Sequence, residues 1–205
     1  MKLIITTYEG LEDISIKEIK DIISKEPKVL LPGKLFLDKA SKLDFYTITY
    51  MSRSISKVTV FLKLFNFNNK EDIITEIKNI DLKSYIKENF SVHCKRQGIH
   101  DFNSDPILKS SVKIISNKYN LTPNYKDPDV IFDISIINNS CILSIDLITL
   151  ELNKRSYKVK TSHLDINCCL AFAALRIANY NSKKHLLDPF CGNSSLVIEA
   201  ALFSS

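Results

Sequence analysis

The sequence is poor in the features that define several large protein classes. It contains no C-x-x-C pair, and its five cysteines (Cys94, Cys141, Cys168, Cys169 and Cys191) are odd in number. Neither a disulfide framework nor a zinc site has the spacing it needs, so no metal site is expected. Its longest apolar runs fall far short of a membrane span, so no membrane partner is expected. No N-terminal targeting signal is legible: Met1-Lys2 leads directly into the apolar run Leu3-Ile4-Ile5, and an acidic, helix-like segment follows. A reducing cytoplasm is the expected compartment. No fixed-period repeat and no low-complexity tract interrupts the chain.

What is present is ordinary globular composition. The 205 residues are 45% hydrophobic and 25% charged, enough for one or two domains with a real core. The net charge of +5 permits nucleic-acid binding without establishing it, because Lys-rich solvated surfaces are common.

Periodicity places the elements. Lys2–Thr7 reads as a strand and Leu11–Ile23 as a helix with apolar residues at Leu11, Ile14, Ile19, Ile22 and Ile23. Pro27, Pro32 and Gly33 bracket two short strands, Lys28–Leu31 and Lys34–Leu37. A helix over Leu43–Met51 and an alternating strand over Lys57–Phe67 complete a β-α-β-β-α-β order, the pattern of a ferredoxin-like unit. Beyond a polar break at Asn66–Asn69, helices are predicted over Glu71–Lys78 and Leu82–Glu88, then a strand over Phe90–Lys95. Ser104 is the predicted N-cap of a helix running to Tyr119. Val130–Ile137 and Cys141–Ile148 are β-rich runs joined by the hairpin signal Asn138-Asn139-Ser140. A helix over His163–Asn179 precedes the last segment.

Two basic runs carry possible chemistry. In Lys95-Arg96-Gln97-Gly98-Ile99-His100, a strand ends in two cations followed by a glycine and a histidine. Such groups suit phosphate, and glycine lets a backbone approach closely. Asn153–Lys160 holds four cations and no acid, with Tyr157 placed to stack on an unpaired base. A solvated sheet edge is the plain alternative for each run. The third segment, Leu186-Leu187-Asp188-Pro189-Phe190-Cys191-Gly192, reads as a strand entering a tight turn, and Ser194 onward as a helix. That is the layout in which a cofactor binds outside a strand's carboxyl end. Cys191 reads as a small packing residue of that turn rather than as a nucleophile.

These segments together resemble the THUMP-containing RNA methyltransferases, which modify guanine N2. Leu187-Asp188-Pro189-Phe190-Cys191-Gly192 with Ile198-Glu199-Ala200-Ala201 is similar to the family's first S-adenosylmethionine motif. Lys95–Phe102 resembles the THUMP core, and Leu152-Asn153-Lys154-Arg155-Ser156-Tyr157 its Leu-x-x-Arg-x-Tyr sequence. Gly10-Leu11-Glu12 and the region of Arg53 resemble the N-terminal domain, and Leu170–Ala178 the connecting helix. The resemblance covers the whole chain.

It implies an α+β fold with a ferredoxin-like domain (1–68), a THUMP domain (69–160), a connecting helix (161–181) and the first β-α unit of a truncated Rossmann-like methyltransferase domain (182–205). It implies RNA contacts at Lys95, Arg96, His100, Lys154, Arg155 and Tyr157, to a transfer RNA acceptor region. It implies S-adenosylmethionine contacts at Asp188, Pro189, Phe190, Cys191 and Gly192. Two departures limit this. Ser194 stands where the family carries glycine, and no Asn/Asp-Pro-Pro-Tyr tetrapeptide occurs, so no catalytic residue is assigned. The expectation is an RNA-binding chain that is not catalytic alone. The alternatives are an RNA-binding subunit of a split enzyme with a separate catalytic chain, a stand-alone THUMP module, and a ferredoxin-like structural protein without an RNA role.

Overall fold

A computed structural model describes residues 1–85, 88–158 and 165–204. The fold is α+β. By internal contact the chain forms two units, one of Met1, Leu3–Val58 and Leu150–Ser205, the other of Lys2 and Thr59–Thr149.

In the first unit, β1 (Leu3–Thr7), α1 (Glu12–Ile23), β2 (Lys28–Leu31), β3 (Lys34–Leu37), α2 (Lys42–Met51) and the start of β4 (Ile55–Asn66) follow one another as the periodicity predicts. The strand order is β2-β3-β1-β4. β3 pairs antiparallel with β1, Leu3 opposite Leu37 and Ile5 opposite Leu35, and all four side chains are buried. Local chemistry sets the helix starts. Ser41 and Asp44 form a reciprocal capping box on α2, where Asp44 N donates to Ser41 Oγ and Ser41 N donates to Asp44. Leu11 supplies no such cap to α1. Glu12 instead accepts from the amides of Gly10 and Gly33, both at 2.7 Å.

The second unit continues β4 into β8 (Ser140–Asp146), β7 (Ile131–Ile137), β5 (Asn89–Gln97) and the two-residue β6 (Thr122–Pro123). All seven β7 residues are buried, as are the last six of β8. Near-continuous apolar runs of this kind belong to strands covered on both faces. α3 (Lys70–Asn79) and α4 (Ser104–Tyr119) pack together, and α4 packs on β5. β5 runs parallel to β7, and Lys95 and Arg96 pair with Ser135 and Ile136.

Several predicted elements differ. α4 begins at Ser104 itself, so its N-cap is Asn103. Residues 83–85 form a turn rather than the start of a helix; Leu82 is drawn off by its amide's hydrogen bond to the Tyr119 hydroxyl (2.7 Å). The rest of that predicted helix includes Ile86 and Lys87, outside the described residues. β8 stops at Asp146 because its carboxylate accepts from the amides of Ile148 and Thr149, turning the chain out of the ladder. The helix predicted from His163 appears as α5 (Cys168–Ile177); His163 and Leu164 lie outside the described residues.

Candidate nucleic-acid interface and the Asp188 turn

In the second unit, β5 carries the first basic run to its C-terminal end. Lys95 and Arg96 are exposed, and neither joins an ion pair among the described residues. Beyond them Gly98 adopts φ +109°, a region that side chains rarely enter, and an added Cβ would lie 2.7 Å from Asn138 Oδ1. This turn brings His100 back toward the strand. Its Nε2 donates to the Asn138 carbonyl at 2.7 Å, and its Nδ1 accepts from Arg96 Nη1 at 3.1 Å. A carbonyl only accepts and a guanidinium only donates, so the partners select the neutral Nε2–H tautomer. The ring also stacks on Phe67 (5.9 Å) and touches Phe102 (5.1 Å). Ile99 stands fully exposed at the tip. The structure therefore brings Arg96 and His100 together and leaves Lys95 beside them with its charge in solvent.

The second basic run lies in the first unit and is used differently. Lys154 is exposed, its ammonium 2.8 Å from Glu151. Arg155 points inward: Nε donates to Glu199 (3.1 Å), Nη1 to the Leu152 carbonyl (2.5 Å) and Nη2 to the Arg53 carbonyl (2.8 Å). The Tyr157 hydroxyl donates to the same Glu199 oxygen at 2.7 Å. Burial works to lower the Arg155 pKa, but the Glu199 charge beside it leaves it raised. Burial, with hydrogen bonds to Cys168 and Glu199, pushes the Tyr157 phenol up. Arg155 thus divides its nitrogens between a buried carboxylate and two backbone carbonyls, and Tyr157 gives its hydroxyl to the same carboxylate. Lys158 is described, whereas Val159 and Lys160 lie outside the described residues.

Glu199 sits on α6 (Ser195–Ser204) with its side chain 0% exposed. Arg53 Nη1 approaches its second oxygen at 3.9 Å. An open cavity of about 480 Å³ adjoins them, lined by Tyr50, Arg53, Ser156, Tyr157, Glu199 and Leu202. A second buried carboxylate holds the Arg53 loop. Glu18 of α1 accepts from Ser52 Oγ (2.7 Å), Arg53 N (2.7 Å) and Ser54 N (3.0 Å). Neither acid was among the predicted site residues. The available signal is weak: Glu18 lies at helical spacing between Ile14 and Ile22, and Glu199 is the one acid in an otherwise apolar and small-residue helix.

The Asp188 segment forms the turn but not the predicted strand. Residues 185–188 belong to no ladder among the described residues, because a parallel strand forms only beside a paired neighbour. Leu187 and Phe190 are 86% and 91% exposed. Asp188 accepts from the Phe190 amide (3.2 Å), Ser194 N donates to the Cys191 carbonyl (2.6 Å), and α6 follows. Pro189, Cys191 and Gly192 are exposed. Gly192 has φ +48° and Ser194 φ +58°. Ser194 therefore holds the left-handed conformation that favours glycine.

Among the described residues no group of histidine, cysteine and acidic side chains is placed to hold a metal ion. None of the described helices is long and apolar enough to cross a membrane.

Comparison with known proteins gives two domain matches. A family model for the THUMP domain matches residues 67–146, and one for the RMKL-like methyltransferase domain matches residues 155–205. The chain is 30% identical to a tRNA (guanine(6)-N2)-methyltransferase of Methanocaldococcus jannaschii, over 98% of this chain and 56% of that protein. It is 26% identical to the protein of the same name from Archaeoglobus fulgidus, over 96% of this chain and 52% of that protein. The chain thus spans about half the length of the curated relatives it matches. In fold it is similar to TrmN from Thermus thermophilus, with a TM-score of 0.73 at 21% identity, covering 98% of this chain and 61% of the other. A predicted N6-adenine-specific DNA methylase from Listeria monocytogenes gives a TM-score of 0.79 at 23% identity, over 98% of this chain and 54% of the other.

Proposed function

The chain belongs to the S-adenosylmethionine-dependent, THUMP-containing RNA methyltransferase family, and from that premise we propose that it is the RNA-holding part of a guanine-N2 methyltransferase acting on transfer RNA. The observation that carries this reading is the exposed Lys95–Arg96 pair at the end of β5, free of ion pairs among the described residues. Two adjacent cations in no ion pair among the described residues suit a phosphate backbone, and Arg96 is pre-oriented by His100. Lys154 adds a further exposed cation. The acceptor region, with its unpaired end, is the proposed contact.

The domain reading follows the same lines: a ferredoxin-like domain over 1–68, supported by the β2-β3-β1-β4 order, the THUMP domain over 69–160, a connecting helix over 161–181 and the opening of the methyltransferase domain over 182–205. Asp188 to Gly192 is read as the first part of the S-adenosylmethionine site. These 205 residues contain no Asn/Asp-Pro-Pro-Tyr loop to hold the target amine, so on their own they are read as non-catalytic. The exposed Leu187 and Phe190 beside the turn favour completion of that site by further polypeptide, on this chain or a separate catalytic one.

The test is titration of labelled transfer RNA over a range of salt. Binding with a negative salt slope is expected, and the slope should become shallower by about 1.5 when Lys95→Ala is combined with Arg96→Ala. An unchanged slope would remove the β5 face from the reading. Methyl transfer from labelled S-adenosylmethionine at ordinary rates would overturn the non-catalytic part.

A further inference from the structure

Glu199 is the one acid on α6, a helix otherwise built from apolar and small residues (Ser195-Leu196-Val197-Ile198-Glu199-Ala200-Ala201-Leu202-Phe203-Ser204). Apolar packing, such as Phe203 against Phe172 (5.5 Å between ring centres), holds such a helix without fixing its rotation or register. A buried carboxylate is different. Left alone it is strongly unfavourable, so it confines the helix to positions where its partners reach it.

Here those partners are themselves fixed. Every nitrogen of Arg155 has a protein acceptor: Glu199, the Leu152 carbonyl and the Arg53 carbonyl. The Arg53 backbone is pinned in turn by Glu18. Tyr157 supplies a second donor to the oxygen that Arg155 holds. The arrangement runs from α1 through residues 52–54 and 152–157 to the middle of α6, five residues beyond Ser194, with which the turn closes.

We infer that Glu199 is a positioning residue: bound to Arg155 and Tyr157 and flanked by Arg53, it locks the register of α6 and thereby the Asp188–Ser194 turn. The Leu152–Tyr157 segment then acts as an internal latch, and of its cations only Lys154 faces outward for RNA. The RNA arm of the test rests on the proposed function; the latch itself does not.

The experiment is hydrogen exchange on the full chain, read by peptide, for Arg155→Ala, Glu199→Gln and Tyr157→Phe. Protection over 195–204 should fall ~100-fold in the first two and ~10-fold in the third, with β1 and β7 unchanged. The Arg155→Ala/Glu199→Gln double variant should lose no more than either single one. The salt slope of transfer RNA binding should stay the same in Arg155→Ala. Unchanged protection over 195–204 would overturn the inference, as would a loss spread evenly through the first unit, or a salt slope lowered by about one with α6 intact. Where Arg155→Ala does not fold, Tyr157→Phe, which removes a single hydroxyl, decides the question. Absence of RNA binding by the unaltered chain would overturn the function above, while the α6 pattern would still decide the latch.

Discussion

The two basic runs look alike in sequence and have opposite fates in structure. Lys95-Arg96 and Lys154-Arg155 are both cation pairs followed within five residues by an aromatic or imidazole ring. On β5 the arginine stays at the surface, its side-chain partner is a histidine ring, and it joins no ion pair among the described residues. In the first unit the arginine turns inward, because a buried carboxylate on α6 draws it there. Whether a cation is offered to a ligand or spent inside the protein depends on the acids that the fold brings within reach. Local composition does not carry that information.

Breaking this contrast gives graded outcomes. The largest is expected in the buried cluster, where Arg155→Ala leaves Glu199 buried without its main partner and should cost about 3–5 kcal/mol in urea unfolding. Arg96→Ala, at the surface, should stay within about 0.5 kcal/mol in the same measurement. Equal costs for the two would mean that the buried and the exposed arginine do not differ in their contribution to stability. Next comes Gly98→Ala, which places a Cβ 2.7 Å from Asn138 Oδ1 at φ +109° and should destabilise the second unit by about 1–3 kcal/mol. The same variant should weaken RNA binding, since the turn at Gly98 sets His100 under Arg96. Wild-type stability and affinity in Gly98→Ala would mean that the turn relaxes without consequence.

The smallest effect is chemical. Burial, with the Asp133 charge adding to it, pushes the Cys94 thiol up to about 12, and burial pushes Cys169 to about 12 although Arg155 opposes it. Cys191 is exposed in the turn. Iodoacetamide at pH 8 should therefore label Cys191 well before Cys94 or Cys169, because the thiolate is the reacting form. Faster labelling of Cys169 in Arg155→Ala would indicate that the latch segment had opened.

Much of the fold was legible from pattern alone. Alternation and helical periodicity place β1 to β3 and α2 to α4 within a residue or two, and an apolar run bounded by Asn138-Asn139-Ser140 marks the hairpin. The departures have separate causes. The predicted strand over Leu186–Asp188 has the composition of a buried parallel strand, but a strand is stabilised by hydrogen bonds to a neighbour that its own sequence cannot reveal. β8 ends early because the Asp146 side chain captures two amides, and composition assigns no direction to a carboxylate.

The site divides in the same way. Sequence by itself determined which residues could bear charge to a ligand, the likeness to the RNA methyltransferases, and the glycine-favouring turn after Asp188, since these depend on residue type and short spacing. That Arg96 remains at the surface while Arg155 closes on Glu199 follows from the packing of α6. The physical reason is burial. An ion pair forms where a helix places a desolvated carboxylate beside a segment more than forty residues away in the chain, and the cost of leaving that acid unpaired outweighs the solvation of the arginine.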